Sequence, residues 1–243
     1  MELALLFYVL LFVVAFLYSS VGHGGASGYL ALMALYGMAP TFMKPTALLL
    51  NIFVAGIAFI QYYRAGHFQA KIFALLAVTS VPAAFLGGMM TLDNKLYKQI
   101  LGVCLVIAAI RFIFFSTVKP GEQKPYSNIG LGILGAVIGL ISGMIGIGGG
   151  VILAPVLLLL KWTDQKQTAA ICAAFILVNS ISGLVGQLVK GVTFTPDMFT
   201  YVAVASVGGL IGSYFGSVRF HQAALKYILA TVLAVASYKL MFV

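Results

Sequence analysis

Acidic side chains are scarce in this sequence of 243 residues, which has five aspartates and glutamates against fourteen lysines and arginines. All charged residues together make up 8% of the chain, whereas a soluble domain carries about 25%. This lack of charge excludes an ordinary water-soluble globular domain. The two cysteines, Cys104 and Cys172, both lie inside apolar runs, which excludes a scaffold built on disulfides.

Hydrophobic residues account for 62% of the sequence and form long runs, such as 72–90 and 100–110. Several runs approach the ~20 residues that a helix needs to cross a bilayer. The period-two alternation typical of membrane β-barrel strands is not found in them. We therefore predict an all-α polytopic membrane protein that has the lipid bilayer as a partner. The net charge of +9 is spread over short loops, where basic residues meet lipid headgroups, so no nucleic-acid partner is expected.

The chain consists of two homologous halves. When the halves are aligned, Asn51 falls on Asn179 and a first glycine-rich stretch falls on a second. We predict a first membrane repeat at 1–115, a linker loop at 116–128 and a second membrane repeat at 129–243. Each repeat contains a helix, a glycine break, a half-helix and three further membrane helices. The predicted helices lie at 3–20, 26–36, 46–63, 70–90, 95–115, 129–142, 150–160, 168–189, 197–216 and 222–242.

The two glycine-rich stretches, GHGGASG at 22–28 and GMIGIGGG at 143–150, interrupt hydrophobic runs at matching places. The helices that follow them have about half the length needed to span a bilayer, so each must begin inside the membrane. A helix start exposes unpaired N–H groups and the positive end of the helix dipole, and glycine lets a ligand approach these groups closely. We therefore predict one anion site that is formed by both breaks.

The predicted substrate-binding residues come from both breaks and from one buried asparagine in the helix after each half-helix. They are Gly22, His23, Gly24, Gly25, Ala26, Ser27, Asn51, Gly146, Gly148, Gly149, Gly150 and Asn179. The asparagine amides are able to donate to an anion, although buried asparagines also tie membrane helices together. For His23 three roles stay open: a structural donor, an anion contact and a proton-coupling group. We predict no catalytic residue, no metal site and no cofactor.

Four other glycines are spaced two to four residues apart, as small residues often are where membrane helices pack closely. We predict that they serve helix packing and not the anion site. These are Gly130, Gly132, Gly135 and Gly139.

The orientation of the two repeats depends on whether each broken helix crosses the membrane or returns to its starting side. If it crosses, the repeats are parallel and the fourteen basic residues split seven and seven. If it returns, the repeats are inverted. Nine basic residues then share a side with the linker, and five lie opposite: Lys44, Lys95, Lys98, Lys190 and Lys239. Because basic residues prefer the cytoplasmic side, the sequence favours inverted repeats with a cytoplasmic linker.

Both glycine stretches, Pro155 and the duplicated architecture resemble the TauE/SafE sulfite exporter family over essentially the whole chain. The second stretch with Pro155, G-x-x-G-x-G-G-G-x-x-x-x-P, is the more specific motif, and His23 stands where the second copy has Ile147. The resemblance implies a transporter of sulfite, sulfonates or related sulfur-containing anions. We expect a multi-pass protein of the cytoplasmic (inner) membrane.

Two alternative functions remain open. A passive anion channel would have the same composition and the same breaks. The segment Gly25-Ala26-Ser27-Gly28 also resembles the G-x-S-G motif of rhomboid intramembrane serine proteases. That chemistry needs a second histidine inside the membrane as a base, whereas His67 and His221 lie in predicted loops. We therefore expect a protein that is not an enzyme.

Overall fold

The computed structural model describes residues 2–20, 24–114, 123–218 and 233–240, and the regular secondary structure of this part of the chain consists of helices joined by short turns, without a β-strand. The helices, in chain order, are α1 (Glu2–Ser20), α2 (Ala26–Leu35), α3 (Pro40–Arg64), α4 (Ala70–Met89), α5 (Asn94–Phe114), α6 (Asn128–Ile145), α7 (Gly150–Leu159), α8 (Gln165–Val189) and α9 (Pro196–Val218). Residues 233–240 are also helical, and the rest of the predicted helix at 222–242 lies outside the described residues. The predicted all-α class is confirmed.

Helix length separates two kinds of element. Among the described helices, α3, α4, α6, α8 and α9 are long and apolar enough to cross a membrane. In contrast, α2 and α7 have 10 residues each, or about 15 Å at the usual helical rise. Each follows a glycine break, so the sequence located both short helices correctly.

Two long helices begin earlier than predicted. α3 begins at Pro40 rather than at residue 46, because proline is favoured in a first turn, where its missing N–H costs nothing. α8 begins at Gln165 rather than at residue 168. Its cap is Asp164, whose carboxylate accepts the Gln167 N–H at 2.9 Å while the Gln167 side chain accepts the Asp164 N–H at 3.2 Å.

Close helix packing holds α4 against α6. A Cβ atom added at Gly135 or Gly139 would overlap the backbone carbonyl of Leu76 or Ser80, so these helices touch through their backbones. This confirms the predicted packing role of Gly135 and Gly139. At Gly132, however, the nearest atom would lie 3.7 Å from an added Cβ, so this position has room for a methyl group.

These contacts predict opposite outcomes for two alanine substitutions in α6. Gly139→Ala should destabilise the protein by about 1–3 kcal/mol, because α4 and α6 must separate to admit the methyl group. Gly132→Ala should leave stability unchanged or raise it slightly, since alanine favours a helix by about 1 kcal/mol over glycine. Thermal unfolding in detergent measures both. Equal unfolding temperatures for the two variants would contradict the close contact.

At one end of the helical bundle, contacts join the start of α3 to the end of α4, and the end of α2 to the segment at 233–240. Lys190, in the turn before α9, lines a cavity together with Lys44. The Lys44 Nζ donates to the carbonyls of Gly88 and Met90 at 3.3 and 3.4 Å. The Lys239 Nζ donates to the Leu35 carbonyl at 2.7 Å. We call this group of residues the Lys44 end; it comprises 36–44, 88–98, 187–192 and 239–240.

A second set of contacts joins the turns at the opposite end. The Lys124 N–H donates to the Lys161 carbonyl at 2.8 Å, and the Lys71 Nζ lies 6.0 Å from the centre of the Tyr126 ring. Tyr62 packs against the first turns of α8. We call this group the Lys161 end; it comprises 62–71, 123–130 and 160–170.

Each short helix runs back along the helix before it. In the first half, the Ser27 hydroxyl donates to the Tyr18 hydroxyl at 2.9 Å, and the rings of Phe7 and Tyr36 lie 5.0 Å apart at the other ends of the two helices. The outer ends of α1 and α2 therefore lie together at the Lys44 end. In the second half, Gly130 lies next to Trp162, so the outer ends of α6 and α7 lie together at the Lys161 end.

Candidate functional site

The two glycine breaks meet at one asparagine side chain. A Cβ atom added at Gly24 would lie 3.0 Å from Asn51 Oδ1, and one added at Gly148 would lie 2.7 Å from Asn51 Nδ2. Both added atoms would also lie within 2.9 Å of the same methyl group, Ile176 Cγ2. The absence of side chains at Gly24 and Gly148 is thus what allows the breaks to close on Asn51 from α3 and Ile176 from α8.

Backbone conformation explains why the caps of both short helices are glycines. Gly25 and Gly149 precede α2 and α7 with φ angles of +94° and +77°, in the left-handed region. Gly146 and Gly148 are also left-handed, with φ angles of +87° and +75°. Only glycine adopts this conformation without strain, so no other residue serves these four positions equally well.

Among the described helices with an assigned cap residue, a side chain caps α6 and α8 but not α2, α3, α4 or α7. α6 is capped by the Ser127 side chain and α8 by Asp164. Within the described chain, no side chain caps α2 or α7, and neither has an acidic residue in its first turn. The first-turn amides, such as that of Ala26, therefore have no intrahelical acceptor, and the positive end of each helix dipole is not neutralised.

Several buried polar atoms beside the breaks have no hydrogen-bond partner among the described residues. They are Tyr29 Oη, Asn51 Oδ1 and Ser142 Oγ, and all three side chains are fully buried. Tyr29 Oη would lie 2.7 Å from a Cβ at Gly25, and Ser142 Cβ would lie 3.4 Å from a Cβ at Gly149. Because buried polar groups are normally hydrogen-bonded, this cluster has the chemistry to receive a polar ligand.

Asn51 is able to present either a donor or an acceptor to the junction. Its Nδ2 donates to Ser180 Oγ at 3.3 Å, which leaves Oδ1 beside Gly24. A serine hydroxyl both donates and accepts, so a half-turn of the amide keeps the bond to Ser180 and turns Nδ2 towards Gly24. An anion would select this second orientation, because it needs a donor.

The two predicted asparagines are not equivalent. Asn179 Nδ2 donates to the Phe175 carbonyl of its own helix at 2.8 Å, whereas Asn51 touches both breaks. The same role was predicted from the sequence for both, because they occupy matching positions in the predicted repeats.

The other predicted residues take different positions around the junction. Ala26 and Gly150 begin the short helices, and a Cβ at Gly150 would overlap Ile176. Gly146 packs instead against the backbone of Lys44, with the Lys44 carbonyl 2.9 Å from an added Cβ. Ser27 donates to a tyrosine hydroxyl rather than to a base, which does not support a nucleophilic role. Gly22 and His23 lie outside the described residues.

Two residues of the junction were missed in the sequence. Tyr29 lies four residues after Gly25, and helical side chains lean towards the N-terminus, so its ring returns to its own helix start. Ile176 lies four residues before Ser180 and thus shares a helix face with it. The signal for Tyr29 is its distance of four residues from the glycine that precedes α2. The signal for Ile176 is its distance of four residues from the polar Ser180.

Comparisons with known proteins identify related chains. Residues 7–240 match the family model described as sulfite exporter TauE/SafE. The chain is 37% identical to probable membrane transporter protein y4hK of Sinorhizobium fredii, over 95% of both chains. It is 28% identical to probable membrane transporter protein YjnA of Bacillus subtilis, over 90% of this chain and 92% of the relative. No solved structure matches the chain significantly.

Proposed function

Since the chain belongs to the TauE/SafE sulfite exporter family, we propose that this membrane transporter carries a small sulfur-containing oxyanion and holds it between the two glycine breaks. Sulfite and organosulfonates are the substrate class that we propose. The observation that supports this proposal most strongly is the convergence of both breaks on Asn51, beside helix starts that no described side chain caps.

The chemistry of the junction suits a small oxyanion. Sulfite and sulfonate oxygens accept hydrogen bonds, and the first-turn amides of α2 and α7 together with Asn51 Nδ2 supply donors. The described break residues, 24–28 and 145–150, include no lysine or arginine. Binding by partial charges alone is weaker than binding by a buried cation, which favours release as well as capture.

Burial at the junction favours a carrier over a channel. All residues at 24–28 and at 145–151 are buried, so the helices close around the junction in this conformation. A channel requires a continuous aqueous path, whereas a carrier passes through an occluded state. In such a carrier the two halves would move against each other around a fixed site.

We further propose that the two repeats are inverted in the membrane. The support is that α1 and α2 have their outer ends at the Lys44 end, whereas α6 and α7 have theirs at the Lys161 end. In the inverted arrangement predicted from the sequence, nine of the fourteen basic residues share a side with the linker, which is also the side of the Lys161 end, and five lie opposite. The positive-inside preference then puts that end and the linker in the cytoplasm, in a cytoplasmic membrane.

Cysteine labelling tests this topology. In a Cys104→Ala/Cys172→Ala background, Gln69→Cys, Gln123→Cys and Gln165→Cys should react with an impermeant maleimide only after the cells are permeabilised. Thr91→Cys, at the Lys44 end, should react in intact cells. Labelling of Gln165→Cys and Gln123→Cys from opposite sides would contradict the inverted arrangement and favour parallel repeats.

The substrate class is tested by transport into proteoliposomes with sulfite, sulfate, thiosulfate, taurine and sulfoacetate. We expect uptake of at least one of these anions to saturate in the millimolar range or below, with protein-free liposomes as the control. Uptake that rises linearly with concentration would favour a channel instead. If none of the five anions is transported in either direction, the proposed substrate class is wrong.

A further inference from the structure

A cavity of about 210 Å³ lies at the Lys44 end, between the ends of α3, α4, α5 and α8. Its polar lining includes Lys44, Thr91, Asn94, Gln187 and Lys190. Since a water molecule takes up about 30 Å³ in the liquid, the cavity has room for a small oxyanion with several waters. We call this cavity the Lys44 vestibule.

The charge of the vestibule lining is of one sign. Two lysines, Lys44 and Lys190, contribute to it, and its lining includes no carboxylate. Asp93 lies in the chain between two lining residues, Leu92 and Asn94, but is not itself part of the lining. Its side chain is exposed, and its carboxylate accepts the Lys95 N–H at 3.1 Å. The cavity therefore attracts anions.

A buried donor adds specificity to this charge. Gln187 is 3% exposed, and within the described chain its Nε2 has no hydrogen-bond partner, although it is buried. The Lys44 ammonium uses two of its three protons on the carbonyls of Gly88 and Met90, which fixes its position at the vestibule wall. An oxyanion in the vestibule would give the Gln187 amide an acceptor that the protein does not supply.

The vestibule is structurally continuous with the second glycine break. The Lys44 Cγ atom would lie 3.2 Å from a Cβ at Gly146, so the stem of this lysine packs on the break itself. Tyr97, which also lines the vestibule, donates its hydroxyl hydrogen to the Ile145 carbonyl at 2.9 Å. The wall of the vestibule thus includes the last turn of α6, directly before the break.

We propose that the Lys44 vestibule is a second anion site, at which a small oxyanion binds on its way to or from the site between the breaks. Lys190 and Gln187 bind the ion, and Lys44 both binds it and anchors the end of α4. Its place on a transport path rests on the proposed function above, whereas anion binding in the vestibule does not.

Protection of a single cysteine measures this binding directly. Thr91 lines the vestibule and is exposed, so Thr91→Cys in a Cys104→Ala/Cys172→Ala background should react with iodoacetamide, a neutral reagent. We expect millimolar sulfate, at constant ionic strength, to slow this reaction in purified protein. If sulfate, taurine and sulfoacetate all leave the rate unchanged, the vestibule is not an anion site.

Variants of the lining identify the binding groups. Lys190→Gln should raise the sulfate concentration that gives half of the full protection by about fivefold or more. This is the effect expected when one positive charge is removed from a site roughly 7 Å across water from a dianion. Gln187→Leu should raise it as well. The matched control is Lys95→Gln, which removes an exposed charge at the same end but outside the lining. Equal protection in all three variants would overturn the proposal. Lys44 is left unchanged because it holds α4 in place.

A final variant separates the vestibule from the break site. Gly24→Ala obstructs the junction but lies outside the vestibule lining. Sulfate should therefore still protect Thr91→Cys in the Gly24→Ala protein. If protection disappears with that substitution, the vestibule is not a separate site. If protection persists while no anion is transported by the unmodified protein, the vestibule stands and the proposed transport function fails.

Discussion

Gly24→Ala should lower anion transport strongly in a protein that remains folded. The added methyl group would lie 2.9 Å from Ile176 Cγ2, 3.0 Å from Asn51 Oδ1 and 3.1 Å from Ala55 Cβ, inside the space where the two breaks meet. Gly24 is not left-handed, so alanine introduces no backbone strain there. The methyl group opposes the closure of the breaks that the proposed bound state requires. Overpacking of about 1–3 kcal/mol against this closure corresponds to a roughly 5- to 150-fold loss of affinity.

Gly56→Ala is the matched control for this experiment. It adds the same methyl group in α3, but the nearest atom to the new Cβ, Leu177 Cδ1, would lie 3.7 Å away. Uptake per incorporated protein and thermal unfolding should be measured for both variants. We expect Gly56→Ala to keep normal uptake. Normal uptake by a folded Gly24→Ala protein would mean that the junction does not bind the transported anion.

Asn51→Leu should also reduce transport by tenfold or more, because it removes the side chain that both breaks contact. Its effect on stability should be small. The hydrogen bond from Asn51 to Ser180 is 3.3 Å long, and interhelical bonds of this kind contribute about 0.6–2 kcal/mol in membranes. Leucine has a similar size, so the packing around position 51 should be maintained.

Asn179→Leu provides the comparison, because Asn179 occupies the position that matches Asn51 in the second predicted repeat. Asn179 donates to its own helix, so its replacement should lower transport less than that of Asn51. Uptake and folded yield are compared for both leucine variants at equal reconstitution. Equal loss in the two variants would show that the matching positions have matching roles, contrary to the asymmetry of their contacts.

The main features of the fold follow from local rules that one sequence reveals. Dense glycines inside apolar runs indicate a broken helix, because few other functions require so many flexible residues in one place. The short α2 and α7 were located in this way. The start of α8 at Gln165 was missed, although the capping pair of Asp164 and Gln167 was present in the sequence.

The junction of the two glycine breaks was harder to predict, because it depends on contacts between distant segments. The repeat implies equal roles for Asn51 and Asn179, and only the three-dimensional arrangement separates them. The vestibule was not predicted for a similar reason. Lys44 and Lys190 lie far apart in the chain and each was interpreted as an interfacial charge, whereas the fold brings both to one cavity.

The most direct test of the central claim is to locate a bound anion. Selenate is a sulfate analogue, and the anomalous scattering of its selenium marks its position in a crystal structure. The proposed transport site predicts a selenium peak between the first turns of α2 and α7, within hydrogen-bonding distance of the Asn51 amide. With selenate saturating, peaks confined to the Lys44 vestibule or the Lys161 end, and none between the breaks, would contradict it.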